Sequence, residues 1–553
     1  MLGRVKKILI LSLCLSATAS ANSLTAHLPA GALATFETRH LGGALQRFEG
    51  LVGGVAEHFG GNARDAAELL SMFTPAVEGS IGDEGVLGVF AVGNGRGIFE
   101  PHLLAVSKLN ADARALLPKL STRNGKATIG KYTFVRQDDL FIGMTSTLVY
   151  ASTNKTLLMN YLSRLNGKAA PTLAAAPAYA TPTTQVGAQE LRLFVNFSGI
   201  AKVARSALQA VMLPRLLSPI VDAVDTLGQV AAGVSTTSTG LSAVSAHVVN
   251  PDGRDTPLRQ ILTHTTPGFD VPRVIPADAE AVSVRACDPL TAQYTAHWLT
   301  RLDLFDPTGL LTDTQLAHHL ERQSSYLADE CAQVTLAGAG RASLTDTNPL
   351  GSLAYMVSYQ KVRDEAAARA HMAEFAPLVN TTIRQAVQSG RQALNDAQAR
   401  LKALGTEQAA SLSELTSLLD DAKLGDVEYV YDFRDGYLVS ALNRRALDAA
   451  LRAPRALADE PAFRALNLTG AGAGFVYQPA PATPYAPADI RRALEKELAA
   501  SPAAAFMEDD AQGLTAPMSS ALADLLNRYG GSSTHTTVDG TVVLSKTNIT
   551  YRW

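Results

Sequence analysis

Along the chain, short apolar runs alternate with longer stretches of good helix formers. The runs at 86–92, 148–151, 193–195, 281–284 and 332–336, with the extended run Ala34-Thr35-Phe36-Glu37, are each only a few residues long, and several end at glycine turns. That length and framing predict strands, while longer segments such as 200–230 and 489–529 predict helices. Tight turn signals at 93–97 and at Asp435-Gly436 favour antiparallel hairpins. Strands joined by short turns, with helices set apart from them, predict an α+β fold: mostly antiparallel sheets packed with helices.

The same succession of elements occurs twice. Leu28-Pro29-Ala30-Gly31 before one extended run corresponds to Ile275-Pro276-Ala277-Asp278 before another, 247 positions on. The turn Gly93-Asn94-Gly95-Arg96 corresponds to Gly338-Ala339-Gly340-Arg341, at a spacing of 245. Leu148-Val149 with Ala151 and Leu157 then matches Leu438-Val439 with Ala441 and Leu447, at 290. Pro177-Ala178-Tyr179 pairs with Pro461-Ala462-Phe463, Leu193-Phe194-Val195 with Gly474-Phe475-Val476, and the strand after Gly240 with the one after Gly540. Six correspondences in one order predict two tandem related domains.

The jump in spacing between the second and third correspondences predicts an insertion in the second copy. Residues 364–422 supply it: helix formers throughout, interrupted at Gly390 and Gly405, with Val387, Leu394 and Leu401 recurring every seven residues. We read a helical hairpin whose apolar stripe either packs on the neighbouring sheet or binds a partner. The expected organisation is a signal segment at 1–21, copy one at 22–250, a proline- and glycine-rich linker at 251–274, and copy two at 275–553.

Composition narrows the functional classes. With 48 Lys and Arg against 51 Asp and Glu, the chain has no electrostatic footprint for nucleic acid. Arg4, Lys6 and Lys7 precede an apolar run at 8–15, followed by Ala17-Thr18-Ala19 and Ala19-Ser20-Ala21, the layout of a secretory signal. Eight apolar residues make a helix of roughly 12 Å, far short of a hydrocarbon core of about 30 Å. Cleavage near Ala21 is therefore expected, with no transmembrane span in the remainder. Leu13 before Cys14 argues against a lipid anchor. Two cysteines remain, Cys287 and Cys331, either joined as one disulfide or buried separately as thiols.

No catalytic, cofactor or metal constellation stands out. Gly93-Asn94-Gly95-Arg96-Gly97 lacks the spacing of a phosphate-binding loop, and an apolar strand-like pair, Ile98-Phe99, follows it. Gly233-Val234-Ser235 has no second glycine for a nucleophile elbow. His318-His319 with Glu321 lacks the spacing that puts two imidazoles on one helical face. The region 200–230 is unusually apolar, and Val203, Val211, Leu217, Ile220 and Val224 form a candidate surface for a hydrophobic ligand. Arg215, Asp222 and Asp225 exclude a bilayer span there. At the C-terminus, Ile549 and Tyr551 alternate before Trp553, and are read as the last strand of copy two.

The opening Leu/Ile-Pro-Ala motif, the Leu-Val-x-Ala strand, the Pro-Ala-Tyr/Phe turn and the export signal together resemble the bacterial exported family catalogued as domain of unknown function 3352. The acidic residue usual after Leu-Pro-Ala is Gly31 in copy one and Asp278 in copy two. The resemblance implies an envelope location, periplasmic or at the cell surface, and no established activity. The expected function is that of a non-enzymatic binding or structural protein of the envelope, which binds an envelope protein partner or helps organise the envelope, with a carrier of lipid or another hydrophobic ligand as the alternative.

Overall fold

The computed structural model describes residues 24–39, 84–93, 99–109, 126–137, 139–210, 214–301, 314–339, 355–403, 427–500 and 510–553. The chain divides into two compact units, residues 1–263 with 538–553, and residues 264–537. Both mix helices with antiparallel sheet.

In the first unit, a 3-10 turn (Leu24–His27) leads into β1 (Ala32–Arg39), then β2 (Glu84–Gly93), β3 (Phe99–Lys108), β4 (Lys126–Ile129), β5 (Tyr132–Gln137), β6 (Leu140–Met144) and β7 (Leu148–Ser152). Helices α1 (Lys155–Leu165) and α2 (Pro177–Val186) follow. Next come β8 (Leu191–Asn196), α3 (Phe197–Ala210), α4 (Pro214–Thr226), β9 (Gln229–Thr237), β10 (Gly240–Val248) and α5 (Thr256–Leu262).

The second unit runs β11 (Ala281–Ala286), α6 (Leu290–Arg301), α7 (Thr314–Gln323), β12 (Leu327–Thr335), β13 (Met356–Val362), α8 (Glu365–Ala403), β14 (Val430–Arg434) and β15 (Tyr437–Ala441). It continues with α9 (Arg444–Leu451), α10 (Pro461–Ala465), β16 (Gly474–Pro479), α11 (Pro487–Ala500), α12 (Asp510–Asn527) and β17 (Tyr529–Asp539). The last strand, β18 (Val542–Tyr551), pairs along its whole length with β10 and so lies in the first unit.

Pairing in the first unit gives the order β4-β5-β6-β7-β3-β2-β1-β8-β9-β10-β18. In the second it gives β14-β15-β13-β12-β11-β16-β17. In each unit the opening strand is central, flanked by the next strand on one side and on the other by the strand that follows a short proline-initiated helix. Local signals recur too. Asn154 caps α1 by accepting from the Leu157 amide at 3.0 Å, and Asn443 caps α9 by accepting from the Ala446 amide at 2.8 Å. Behind each cap, residues three or four apart face inward: Leu158, Tyr161 and Leu162 in α1, Ala446, Leu447 and Ala450 in α9.

Each unit has its own core. Leu28, Leu104, Val106, Tyr150, Leu158 and Phe194 pack together in the first, and Val282, Val334, Val357, Val439, Leu447 and Phe475 in the second. Four features differ from the sequence expectation. The strand after Gly540, expected to close copy two, is drawn into the first unit because its full length is hydrogen-bonded to β10. The segment 251–274 is not a loose linker, because it contains α5 and buries Phe269, Val271 and Val274 in the second core. Two of its four prolines, Pro257 and Pro272, lie in the first turn of a helix and of a 3-10 turn, where the missing amide would have no partner anyway. Gly390 does not interrupt α8, which runs through it for 39 residues. A single glycine costs a helix only about 1 kcal/mol against alanine, too little to end one this long. Finally, β12 and β13 are not joined by a tight hairpin: their register closes at Thr335 opposite Met356. The turn at 94–98, Gly405 and the second half of the expected insertion lie outside the described residues.

Candidate functional site

Four carboxylates are buried among the described residues; Asp288 accepts the Leu290 amide at 2.9 Å, and the other three, Glu37, Glu84 and Glu330, organise the polar interior. Glu84 opens β2, opposite Arg39 of β1 and Lys108 of β3. Its Oε1 accepts the Leu24 amide at 3.1 Å, and its Oε2 is ion-paired with Lys108. Glu330 sits on β12 opposite Ala286 of β11, one register step from the Cys331–Gln360 pair that places Lys361 beside it. Its Oε1 accepts the Val271 amide at 2.7 Å, while Oε2 meets Lys361 at 3.2 Å and the Tyr437 hydroxyl at 2.7 Å. Both carboxylates therefore tie the turn before the opening strand to a lysine on the third strand. Lys361 also reaches Asp270 at 3.1 Å. Burial opposes the charge of Lys361, but hydrogen bonds to Asp270 and Glu330 outweigh it and hold the ammonium above its ordinary pKa. Burial, and then the bond to Glu330, pushes the Tyr437 phenol well up.

The third carboxylate, Glu37 on β1, has its own set of partners. Arg192 of β8, directly opposite, donates to Oε2 at 2.5 Å, and Thr25 donates to the same oxygen at 2.8 Å. The Tyr179 hydroxyl donates to Oε1 and accepts from Arg192 at 2.8 Å. Burial and then the adjacent Glu37 charge raise the Tyr179 phenol far above its ordinary range, so it stays protonated and donating. Burial works against the Arg192 charge, yet Glu37 and Tyr179 more than offset it. The cluster pairs the Glu37 and Arg192 charges with each other, leaves Arg192 Nε without a hydrogen-bond partner, and among the described residues places no nucleophile beside a base.

A chain of rings joins two helices of the second unit. His319 Nδ1 on α7 lies 2.8 Å from His371 Nε2 on α8, and His371 Nδ1 lies 2.8 Å from the Tyr326 hydroxyl. Nearby, Cys287 and Cys331 are joined as a disulfide that links the end of β11 to β12. It lines a cavity of about 200 Å³ between the sheet and the helices α6 and α7. Among the described residues no group of three or more His, Cys, Asp or Glu is placed to hold a metal ion. His318 and His319 are adjacent, and the structure joins His319 to His371 on another helix rather than to Glu321.

The apolar candidates fall in a helical hairpin. Arg205 of α3 bridges to Asp222 and Asp225 of α4, each at 2.8 Å, and fastens the two helices together. Val203, Leu217 and Val224 are half-buried, and Ile220 is 39% exposed. Val211 lies outside the described residues. On α8, the first turns are core, with Ala368, Met372 and Phe375 buried, whereas Val387 and Leu394 are only half-buried. Leu401 belongs to the helix, but its side chain is outside the description. No described helix is long and apolar enough to cross a membrane.

Sequence reading passed over the buried carboxylates. A signal was available: Glu84 and Glu330 are acidic residues at the edge of or inside apolar strand-like runs, separated by nearly the same 246 positions as the opening motifs. The His371 partnership left no local signal, since its members are 52 and 45 residues apart.

No protein-family model and no curated protein matches the chain. Among solved structures it is similar to those titled as crystal forms III and I of TP0453, at 14% and 13% identity and TM-scores of 0.23 and 0.24. Each match covers 45% of this chain, and 90% and 89% of the other.

Proposed function

We propose that the chain is an exported cell-envelope protein, formed by tandem duplication of one α+β unit, that binds a protein partner rather than catalysing a reaction. The duplication reading is supported by register. The Leu24, Glu84 and Lys108 group of the first unit has its counterpart in Val271, Glu330 and Lys361, at the same places in the strand order. On that reading α8 is the inserted arm, because it stands between β13 and β14 where the first unit has no described helix.

The observation that carries binding over chemistry is how the buried carboxylates are employed. Glu37, Glu84 and Glu330 hold backbone amides, lysines, an arginine and tyrosines in place, and reactive use of any of them would undo the packing around it. A pull-down from native envelopes, with unprocessed and processed forms distinguished by N-terminal sequencing, tests location and partner together. Recovery of the chain with its Met1 intact in a cytoplasmic fraction would overturn the envelope reading.

The second reading, a carrier of lipid or another hydrophobic ligand, is favoured by the α3–α4 hairpin. Its helices are fastened by ions on one side while Leu217 and Ile220 remain partly open. Native mass spectrometry after gentle purification separates the two. A stoichiometric lipid adduct supports the carrier, and none after incubation with lipid counts against it.

A further inference from the structure

The rings of His319, His371 and Tyr326 form a hydrogen-bonded chain across the contact between α7 and α8. His371 is 2% exposed, stacks on Phe375 with centroids 5.6 Å apart, and is bonded through both ring nitrogens. A nitrogen-to-nitrogen bond of 2.8 Å holds one proton: one ring donates and the other accepts. If Tyr326 donates to His371 Nδ1, then His371 Nε2–H donates to His319. If Tyr326 instead points its proton at Met372 Sδ, 3.9 Å away, the direction reverses and His319 donates. Both arrangements leave the pair neutral. With both imidazoles protonated, two N–H groups and two positive charges would oppose each other at that distance.

The surroundings make added charge costly. From α7 come His318 and Arg322, from α8 Glu374, and from the strand side Tyr326 and Tyr429. Glu374 is the one anion in this set. It is exposed and already bonded to Arg322 at 2.7 Å. α7 and α6 also line the cavity beside the disulfide, Leu320 and Gln323 from α7 together with Cys287 and Cys331.

We propose that this chain is an acid-released latch. At neutral pH the bonded imidazole pair holds α7 against α8, and once both rings are protonated that bond is lost, which frees α7, opens the cavity and further exposes the half-buried Cys287–Cys331 disulfide. Burial, with Arg322 and His319 adding to it, lowers the His371 pKa to about 4 from the usual 6.5. The released form, with an ordinary imidazole, binds more protons than the latched one. The latch is therefore fully effective above about pH 6.5 and weakens as pH falls toward about 4.

Reduction of the disulfide by a phosphine, followed by peptide mapping and normalised to an open small-molecule disulfide at each pH, reads the opening. For the full chain the normalised rate is expected to rise at least about tenfold between about pH 7 and about pH 4.5, with far-UV circular dichroism unchanged. His371→Gln and His319→Gln, which cannot gain the charge, should flatten that rise. His318→Gln, which leaves the bonded pair intact, should keep it. Two glutamine variants on different helices guard against one failing to fold. A flat wild-type profile, an undiminished rise in both glutamine variants, or a rise that coincides with cooperative loss of the dichroism signal would each overturn the latch.

Discussion

At the centre of each unit, the opening strand meets its neighbour through one inward-facing pair, and the two units fill that place with opposite chemistry. In the first, Glu37 of β1 lies opposite Arg192 of β8, with Tyr179 of α2 bonded to both. In the second, Val284 of β11 lies opposite Phe475 of β16, so that the register puts Phe475 in the place of Arg192 and not, as the sequence correspondence predicts, of Phe194; Phe463 of α10 packs on Phe475 at 5.7 Å. The backbone frame is shared, so the frame does not need the charges. What both units have is the other carboxylate, Glu84 or Glu330, which fastens the turn before the opening strand. The comparison separates a polar device that the fold uses twice from one that it can replace with hydrocarbon.

Breaking the first device's charge balance should have the largest effect. Arg192→Phe alone leaves Glu37 buried beside a hydrocarbon, and Glu37→Val leaves Arg192 likewise unpaired. Either should destabilise the first unit by about 3–5 kcal/mol. The triple exchange Glu37→Val, Tyr179→Phe, Arg192→Phe installs the residues of the second unit and should recover most of that loss. Denaturant unfolding checks the series. If the triple variant is no better than the singles, the two units do not share a frame at this site.

Next comes the disulfide, which exists only in the second unit. Cys331 lies opposite Arg285, and the corresponding strand position in the first unit is Gly85, opposite Thr38. The sequence separation is 44, and a loop of that size is worth up to about 4 kcal/mol on the chain-entropy account. Cys287→Ser with Cys331→Ser should lower the melting temperature of the second unit and leave the first unchanged. Equal losses in both would show that they do not unfold independently.

The carboxylates common to both units should differ by less. Glu330 serves the Val271 amide, Lys361 and Tyr437, whereas Glu84 serves the Leu24 amide and Lys108. Glu330→Gln should cost about 1–3 kcal/mol, and Glu84→Gln about 1 kcal/mol less, because one fewer partner loses a charge-assisted bond. Separate melting transitions for the two units, read in each variant, give the ranking. A larger loss for Glu84→Gln would reverse it.

How much of this was legible in the sequence depends on range. Turn residues and short strand-like runs are local, and they placed the opening strands and the mixed helix and antiparallel sheet class, whereas the Asn154 and Asn443 caps, equally local, went unread. The segment 251–274 misled because prolines mark a loop only when their amides would otherwise be needed, and here two of the four lie in first helical turns. Gly390 misled because one glycine is a small cost against 39 residues of cooperative helix. The buried networks were hidden for a different reason. Glu37 and Arg192 are 155 residues apart, and only the strand register makes them neighbours.

The smallest effect on stability is expected on the distal half of α8, a helix without a described counterpart in the first unit. Its first turns are fixed by Ala368, Met372 and Phe375, which the second unit buries. Asn380 then anchors it by bonding the Tyr429 backbone in both directions, at 3.0 Å and 2.7 Å. Beyond that anchor Val387 and Leu394 are only half-buried, so little apolar area depends on them. Val387→Glu and Leu394→Glu should each change stability by no more than about 0.5 kcal/mol, the range of surface substitutions. If the stripe with Leu401 serves a partner, the same variants should abolish co-purification or self-association, seen by pull-down and sedimentation. A drop of several kcal/mol would instead assign the stripe to the core of the second unit, and α8 would then be a buttress rather than an arm.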